Sequence, residues 1–341
     1  MSAAFWRDDA PLAVMGTGFA LPGAPVATEA LLEGCAPWID RRTMRAALAV
    51  AHRLGVRMRH LCRPFAAPIE PPRPGEANPD LAAAAVRAAL AQAGLRPAEL
   101  GYLIGHTATP AQMLPPNIGQ VAGRLGYAGP FVELRQACTG FANALVLAQG
   151  LLRAGAAPVA IVGSETGSLF FDPRRAAVDP AQRVNLVQMG DGAGAIVLGR
   201  DTGRGPRLSR AFYGQAGRGR GAGLSMAAGA AEFAHDFAAV RRNGRDLLAR
   251  CVEAADAVGA LPADRVLPHQ ANGRLAGMLA PLLGLAPTRF VVNADRVGNT
   301  GSAAIWLALA QLRARLSPGE SVAVLGLEAT DYMFGGFRYE H

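Results

Sequence analysis

The sequence predicts an α/β fold made from two copies of one unit, and three observations predict it. Residues 131–152, FVELRQACTGFANALVLAQGLL, pass from an apolar strand-like run through a sharp turn at Gln136-Ala137-Cys138 into a Gly-interrupted helix. The pattern then recurs from Phe290: Thr300-Gly301 falls on Thr139-Gly140, Ala310-Gln311 on Ala148-Gln149, and residues 322–328 on 159–165. Upstream of each copy a strand ends in histidine, YLIGHTAT with His106 and RVLPHQAN with His269, and these two stand as far apart as Gly163 and Gly326. The repeat is too long for a solenoid, so it reads as a duplicated domain, 1–200 and 201–341, whose halves pack face to face. Equivalent corners then lie near a pseudo-twofold axis, which places Cys138, His269 and Asn299 around one cavity.

Taken in order, residues 12–15 read as a first strand ended by a turn at Gly16-Thr17-Gly18. Residues 29–63 read as helical and Arg-rich, with about four helical turns before Gly55-Val56. The Pro-rich stretch 64–79, PFAAPIEPPRPGEANP, is a loop whose flexibility suits a cover over a tunnel. Alanine and leucine at helical spacing over 81–93, stopped at Gly94, precede a strand at 102–105. His106 ends that strand and reads as a hydrogen-bonded structural residue. Residues 168–187 read as an irregular loop before a strand at 195–198. The run Gly190 to Gly194 enters a strand with no helix after it, so it is a tight turn and not a phosphate cradle. Residues 201–220, rich in Gly and Arg, are the expected linker. A helix over about 231–258, a strand at 265–267, another helix and the Asn299 corner complete the chain.

Composition narrows the function classes. With 51% hydrophobic and 18% charged residues, the 341-residue chain can bury a large core. All 34 basic side chains are arginine and the net charge is +8, yet they are scattered, with no aromatic-interleaved basic tract. Nucleic acid is therefore not the expected partner, and an anionic cofactor or acidic carrier protein fits better. Cys35, Cys62, Cys138 and Cys251 form no C-x-x-C pair, which supports neither a disulfide scaffold nor a zinc site, and no metal is expected. The N-terminus lacks a signal peptide's basic start, and no run of 18 apolar residues is free of charge, Gln or Gly; the expectation is a cytoplasmic protein without a membrane span.

Cys138 stands at a helix start, where unpaired N–H groups and the helix dipole favour a thiolate. A small buried cysteine is the plainer alternative. The stretches ACTGF, VLPHQANGR, DRVGNTGSAAI and MGDGAGAIVL together resemble the β-ketoacyl-acyl carrier protein synthase III group of the thiolase superfamily, in order and spacing over nearly the whole chain. The resemblance implies a thiolase-like fold, two duplicated βαβαβαββ halves in a five-layered α-β-α-β-α arrangement. It implies that Cys138 accepts an acyl group from a thioester, and that His269 and Asn299 stabilise the oxyanion formed when a malonyl thioester loses carbon dioxide. It places the acylation oxyanion hole at the backbone N–H groups of Cys138 and of the C-terminal turn 326–330, at Glu328. It makes Phe141 a lining of the acyl tunnel, Trp38 and Arg183 contacts of coenzyme A, and Asn272 and Arg274 contacts of coenzyme A or the acyl carrier protein.

No permanently bound cofactor is implied; coenzyme A or acyl carrier protein thioesters are the substrates. Two departures stand out, an inserted cap segment over about 33–79 and a C-terminal turn poor in glycine. The leading function is decarboxylative condensation in fatty acid or specialised polyketide biosynthesis. The alternatives are acyl transfer from Cys138 to a hydroxyl or amine, and a non-condensing partner subunit. In the resembling group the strand at 131–134 is a sheet edge, so the expected assembly is a homodimer joined along it.

Overall fold

The computed structural model describes residues 5–155, 157–227, 230 and 232–341. The chain begins with β1 (Phe5–Asp8), β2 (Leu12–Ala20), β3 (Val26–Ala27), α1 (Thr28–Gly34), α2 (Arg41–Leu54) and β4 (Met58–Arg59). It continues through α3 (Asn78–Ala93), β5 (Tyr102–His106), α4 (Asn117–Leu125), β6 (Phe131–Leu134), α5 (Gly140–Arg153) and β7 (Val159–Glu165). Next come α6 (Arg175–Val178), α7 (Pro180–Gln188), β8 (Gly192–Arg200), β9 (Arg207–Gln215), β10 (Leu224–Ser225), β11 (Ala234–His235) and α8 (Phe237–Ala257). The last elements are β12 (Arg265–Pro268), α9 (Leu275–Leu283), α10 (Ala294–Val297), α11 (Ala304–Arg313), β13 (Ser321–Glu328) and β14 (Met333–Glu340).

Strand order carries the repeat. The series β6-β5-β7-β8-β2 is answered by β12-β13-β14-β9, with a single parallel bridge from Phe290 to Val266 in the place of β6. Directions match as well: β5 and β7 are parallel, as are β12 and β13, and each series then turns antiparallel at β8 and β14. The series meet where β2 runs antiparallel to β9, Leu12 opposite Leu208 and Ala13 opposite Arg207. These are equivalent strands, so the pseudo-twofold axis passes between them.

Helices fill three layers around the strands. In the middle, Leu145 of α5 and Ile305, Trp306 and Leu309 of α11 pack on Ile161, Ile196, Val322 and Val324. Outside, Ala85, Val86 and Ala89 of α3 with Ile118 and Val121 of α4 cover Ala160, Val162, Ala195 and Val197. On the far side Leu247 and Cys251 of α8 and Leu279 of α9 cover Phe212, Val266, Leu325 and Phe334. Neighbouring residues of one strand thus enter different cores, Ile161 one and Ala160 and Val162 the other, as the two-residue period of a strand requires. The result is the five-layered α-β-α-β-α arrangement. A fourth cluster joins α1, α2, α6 and α7 in a cap, through Leu31, Leu32, Ile39, Ala47, Phe65, Phe171, Leu186 and Val187.

Several local expectations change. Gly16-Thr17-Gly18 continues β2 and does not end it: a Cβ on Gly16 would lie 2.1 Å from the Ala89 carbonyl oxygen, and one on Gly18 2.3 Å from that of Ala85. Glycine there lets α3 lie directly on the strand. Residues 29–63 are not one helix. Asp40 starts α2 by accepting the Thr43 N–H at 2.6 Å, and Gly55 ends it in the left-handed conformation, at φ 67°. The expected loop at 168–187 holds α6 and α7, the latter opened by Asp179, which accepts the Ala181 N–H at 2.7 Å, with Pro180 in its first turn. The expected linker at 201–220 contains β9. The helix expected from about 231 is α8, starting at Phe237; Ala231 itself lies outside the described residues. Among the described residues no helix is long and apolar enough to cross a membrane.

Candidate active site

The corner between β6 and α5 is built for close approach. Thr139 precedes the first residue of α5, Gly140, where a Cβ would lie 2.5 Å from Nδ1 of the His106 ring beneath. Cys138 is half-buried. The turn around it is gripped from the other half of the chain by Glu328, buried at the end of β13. One carboxylate oxygen accepts the Thr139 N–H at 2.8 Å and the Thr139 hydroxyl at 2.7 Å, and the other accepts the Ala137 N–H at 3.4 Å and the Thr330 hydroxyl. Gln136 completes the ring, its amide N–H donating to Thr139 Oγ1 at 3.0 Å and to the Tyr213 hydroxyl at 3.1 Å.

His269 follows β12, and its N–H donates to the Leu325 carbonyl at 2.8 Å, which anchors it to the strand that carries Glu328. Gln270, fully buried, holds the next step of the loop by donating to the Pro268 carbonyl at 2.7 Å and accepting the Asn293 N–H at 2.8 Å. Asn299 sits after Gly298, whose φ of 72° and ψ of −173° suit glycine alone. Its N–H donates to the Gln188 carbonyl at 2.8 Å and its carbonyl accepts the Gly190 N–H at 3.0 Å. Gly190 is therefore more than a turn residue: a Cβ there would lie 2.0 Å from the Val297 oxygen. Asn299 Oδ1 accepts the Gly301 N–H at 3.0 Å, which fixes the amide and leaves its NH₂ as the free end.

A second carboxylate mirrors the first. Glu165 ends β7 as Glu328 ends β13, and it reaches across to accept the Ser302 N–H at 3.0 Å and the Ser302 hydroxyl at 2.7 Å. That hydroxyl also lies 3.3 Å from the Gln136 carbonyl, tying the Asn299 corner to the Cys138 corner. All three corners thus belong to one hydrogen-bonded unit.

Charge at the site runs against the thiolate expected from a helix start. Burial first, then the Glu328 and Glu165 carboxylates, push the Cys138 thiol well above its ordinary value. Physically, Glu328 already satisfies N–H groups at the helix start, so its dipole is spent on a carboxylate and not on sulfur. Burial lowers His269 to about 4, which keeps the ring neutral, and its Nδ1 finds no partner among the described residues. His106 departs from the expectation of a well-bonded residue: burial pushes it to about 3, and neither ring nitrogen has a hydrogen-bond partner among the described residues.

The remaining expected residues lie further out. Phe141 is fully buried in the middle layer, its ring 5.7 Å from that of Trp306 and 6.0 Å from that of Phe337. The close approach of Gly326, where a Cβ would lie 2.4 Å from the Phe141 ring, fills the remaining space. Trp38 lies half-buried between α1 and α2. Arg183, in α7, donates from Nε to the Ala176 carbonyl at 3.0 Å. Asn272 Oδ1 accepts the Arg274 N–H at 2.9 Å, and the Arg274 guanidinium lies on the C-terminal end of α2, 3.3 Å from the His52 carbonyl. The Gly273 N–H donates to the Leu54 carbonyl at 2.9 Å, so α2 docks on the loop that carries His269. A recess of about 380 Å³ bordered by Ala10, Gln149, Arg153 and Arg200 opens at the other end of α5, away from Cys138. Sequence reasoning missed the Glu328 side chain, Glu165 and Thr139. The repeat aligned Glu165 with Glu328, and that was the one available signal.

Comparison with known proteins agrees with this arrangement. Residues 132–217 match the family described as 3-oxoacyl-[acyl-carrier-protein (ACP)] synthase III, and residues 258–334 match its C-terminal family. The chain is 33% identical to the beta-ketoacyl-[acyl-carrier-protein] synthase III of Rhodospirillum centenum, over 96% of both chains. It is 32% identical to that of Rhodospirillum rubrum, over 98% of both. Among solved structures, 3-oxoacyl-(acyl carrier protein) synthase III of Pseudomonas aeruginosa superposes with a TM-score of 0.78 at 29% identity, covering 97% of this chain and 98% of that one. AbyA1, a tetronic acid condensing enzyme, superposes with a TM-score of 0.83 at 28% identity, covering 97% of this chain and 100% of that one. With its repeat, its fold and its three joined corners, the chain belongs to the β-ketoacyl-[acyl-carrier-protein] synthase III family.

Proposed function

We propose that this protein is a decarboxylative condensing acyltransferase that loads an acyl group on Cys138 and joins it to a malonyl thioester. In the first step the sulfur of Cys138 attacks an acyl thioester; the proton of the thiol goes to the departing thiolate, and one thioester replaces another. In the second step the malonyl thioester loses carbon dioxide and the electron pair moves onto its thioester oxygen. The His269 ring N–H and the Asn299 NH₂ are the donors for that oxygen, each worth about 3 kcal/mol of transition-state stabilisation. The enolate carbon then attacks the acyl carbon on Cys138, giving a β-ketoacyl thioester and expelling the Cys138 thiolate, which takes a proton from solvent to restore the thiol. Both substrates are thioesters of coenzyme A or acyl carrier protein, and no step draws on a permanently bound cofactor.

The observation that carries this reading is the Asn299 amide. Its oxygen is taken by the Gly301 N–H, so the side chain presents donors. Acyl transfer to a hydroxyl or amine has no use for a donor so fixed, and a partner subunit without chemistry has no use for the three joined corners. Trp38 and Arg183 in the cap are the proposed coenzyme A contacts, and Asn272 and Arg274 line the approach of that cofactor or the carrier protein. Incubation with acyl-coenzyme A, then with malonyl-coenzyme A or malonyl carrier protein, tests the function. Mass spectrometry should find an acyl adduct on Cys138 that is discharged as a β-ketoacyl product; an adduct discharged without chain extension would favour simple acyl transfer.

A further inference from the structure

The carboxylate of Glu328 spans the turn that carries the nucleophile. It accepts the N–H of Thr139, the residue after Cys138, at 2.8 Å and that of Ala137, the residue before, at 3.4 Å. Neither contact involves Cys138 itself. The Thr139 hydroxyl, 2.7 Å away, and the Thr330 hydroxyl also donate to it, so the group is fully engaged while buried. Buried carboxylates are costly unless met by donors, and four donors converging on one is a built arrangement. We infer that Glu328 is a positioning residue for the nucleophile: it clamps the N–H groups on both sides of Cys138, leaves the N–H of Cys138 for the acyl oxyanion, and places a carboxyl group beside the turn that bears the thiol.

This inference rests on Cys138 being the nucleophile. The other titratable groups shown facing the turn are Glu165 from β7, His106 at the end of β5, and Tyr213 of β9 through Gln136. Of the acidic groups among the described residues, Glu328 alone bonds the turn itself, and it stands ahead of Glu165 in opposing the thiolate. Its consequence is a thiol that stays protonated at neutral pH and gives up its proton as the leaving thiolate departs.

Iodoacetamide alkylation of the full chain across pH tests this, with the adduct located by peptide mass spectrometry. The wild-type rate should reach its half-point above the range of an ordinary free cysteine. Glu328→Gln keeps an acceptor oxygen for the Thr139 N–H and removes the charge, so its half-point should move to lower pH, with alkylation about tenfold or more faster at pH 7. Glu328→Ala removes charge and acceptors together; its thiol should be as reactive as that of Glu328→Gln while acyl transfer from acyl-coenzyme A falls by about tenfold relative to it. Superimposed profiles for wild type and Glu328→Gln would overturn the inference. Should the variants fail to fold, the wild-type profile decides alone: a half-point at or below the ordinary thiol range overturns it. Labelling that maps to a cysteine other than Cys138 would instead count against the proposed function.

Discussion

Cys138 is the group whose variants separate the two chemical steps. Cys138→Ala should form no acyl adduct and no condensation product, yet retain decarboxylation of a malonyl thioester, because in the proposed mechanism His269 and Asn299, and not the thiol, donate to the enolate oxygen. Intact mass after incubation with acyl-coenzyme A, together with carbon dioxide release, checks both halves. His269→Ala or Asn299→Ala should acylate at a near-normal rate and condense roughly two or more powers of ten more slowly, read by single-turnover labelling. The pH dependence follows from the His269 value of about 4. A lowered value means the ring stays neutral until pH falls through about 4, so decarboxylation by Cys138→Ala should be flat from pH 8 to 6; a limb centred in the usual histidine range would show that the ring is not held neutral. These three residues were proposed from the sequence because each sits in a short motif and the repeat aligned the motifs. The Glu328 carboxylate was not, since its partner Thr139 lies 189 residues away in the chain and only the fold brings them together.

At the scale of elements, the Asn299 corner depends on a backbone shape that one residue type can adopt. Gly298→Ala would place a Cβ 3.0 Å from the Gln188 oxygen at a φ of 72°. The expected cost is about 1–3 kcal/mol, seen as a lower melting temperature. Condensation should fall further than acylation, since the strain falls on Asn299 and not on Cys138. Helix α2 offers a second handle, because Arg274 and Gly273 meet its C-terminal end. Glycine was the residue most often misread from sequence alone. Gly16, Gly18 and Gly190 looked like turns, but each is small because another element's backbone passes within van der Waals distance, and such a neighbour is invisible to local pattern. The start of α7 was readable: an Asp followed by Pro is a helix opening, and the irregular composition around it hid the signal.

At the scale of the molecule, β6 ends the strand order with no strand beyond it among the described residues, and Phe131 is 41% exposed at its start. Met113 and Leu114, ahead of α4, are exposed as well. Helix α2 packs on α1, α6 and α7 and is not laid over this edge. An uncovered apolar edge favours pairing with its own twofold mate. Sedimentation at micromolar concentration should therefore give about twice the 35.3 kDa chain mass; a single-chain mass would refute the homodimer. The crossed carboxylates bear on descent. Glu165 of the first half completes the second half's corner and Glu328 of the second completes the first's, which is the exchange that two identical half-length chains would make about a twofold axis. Fusion into one polypeptide frees the partners from identity, so one corner can become a nucleophile while the other becomes an amide donor. A bond between equals has turned into a division of labour, and neither half retains the means to finish its own corner.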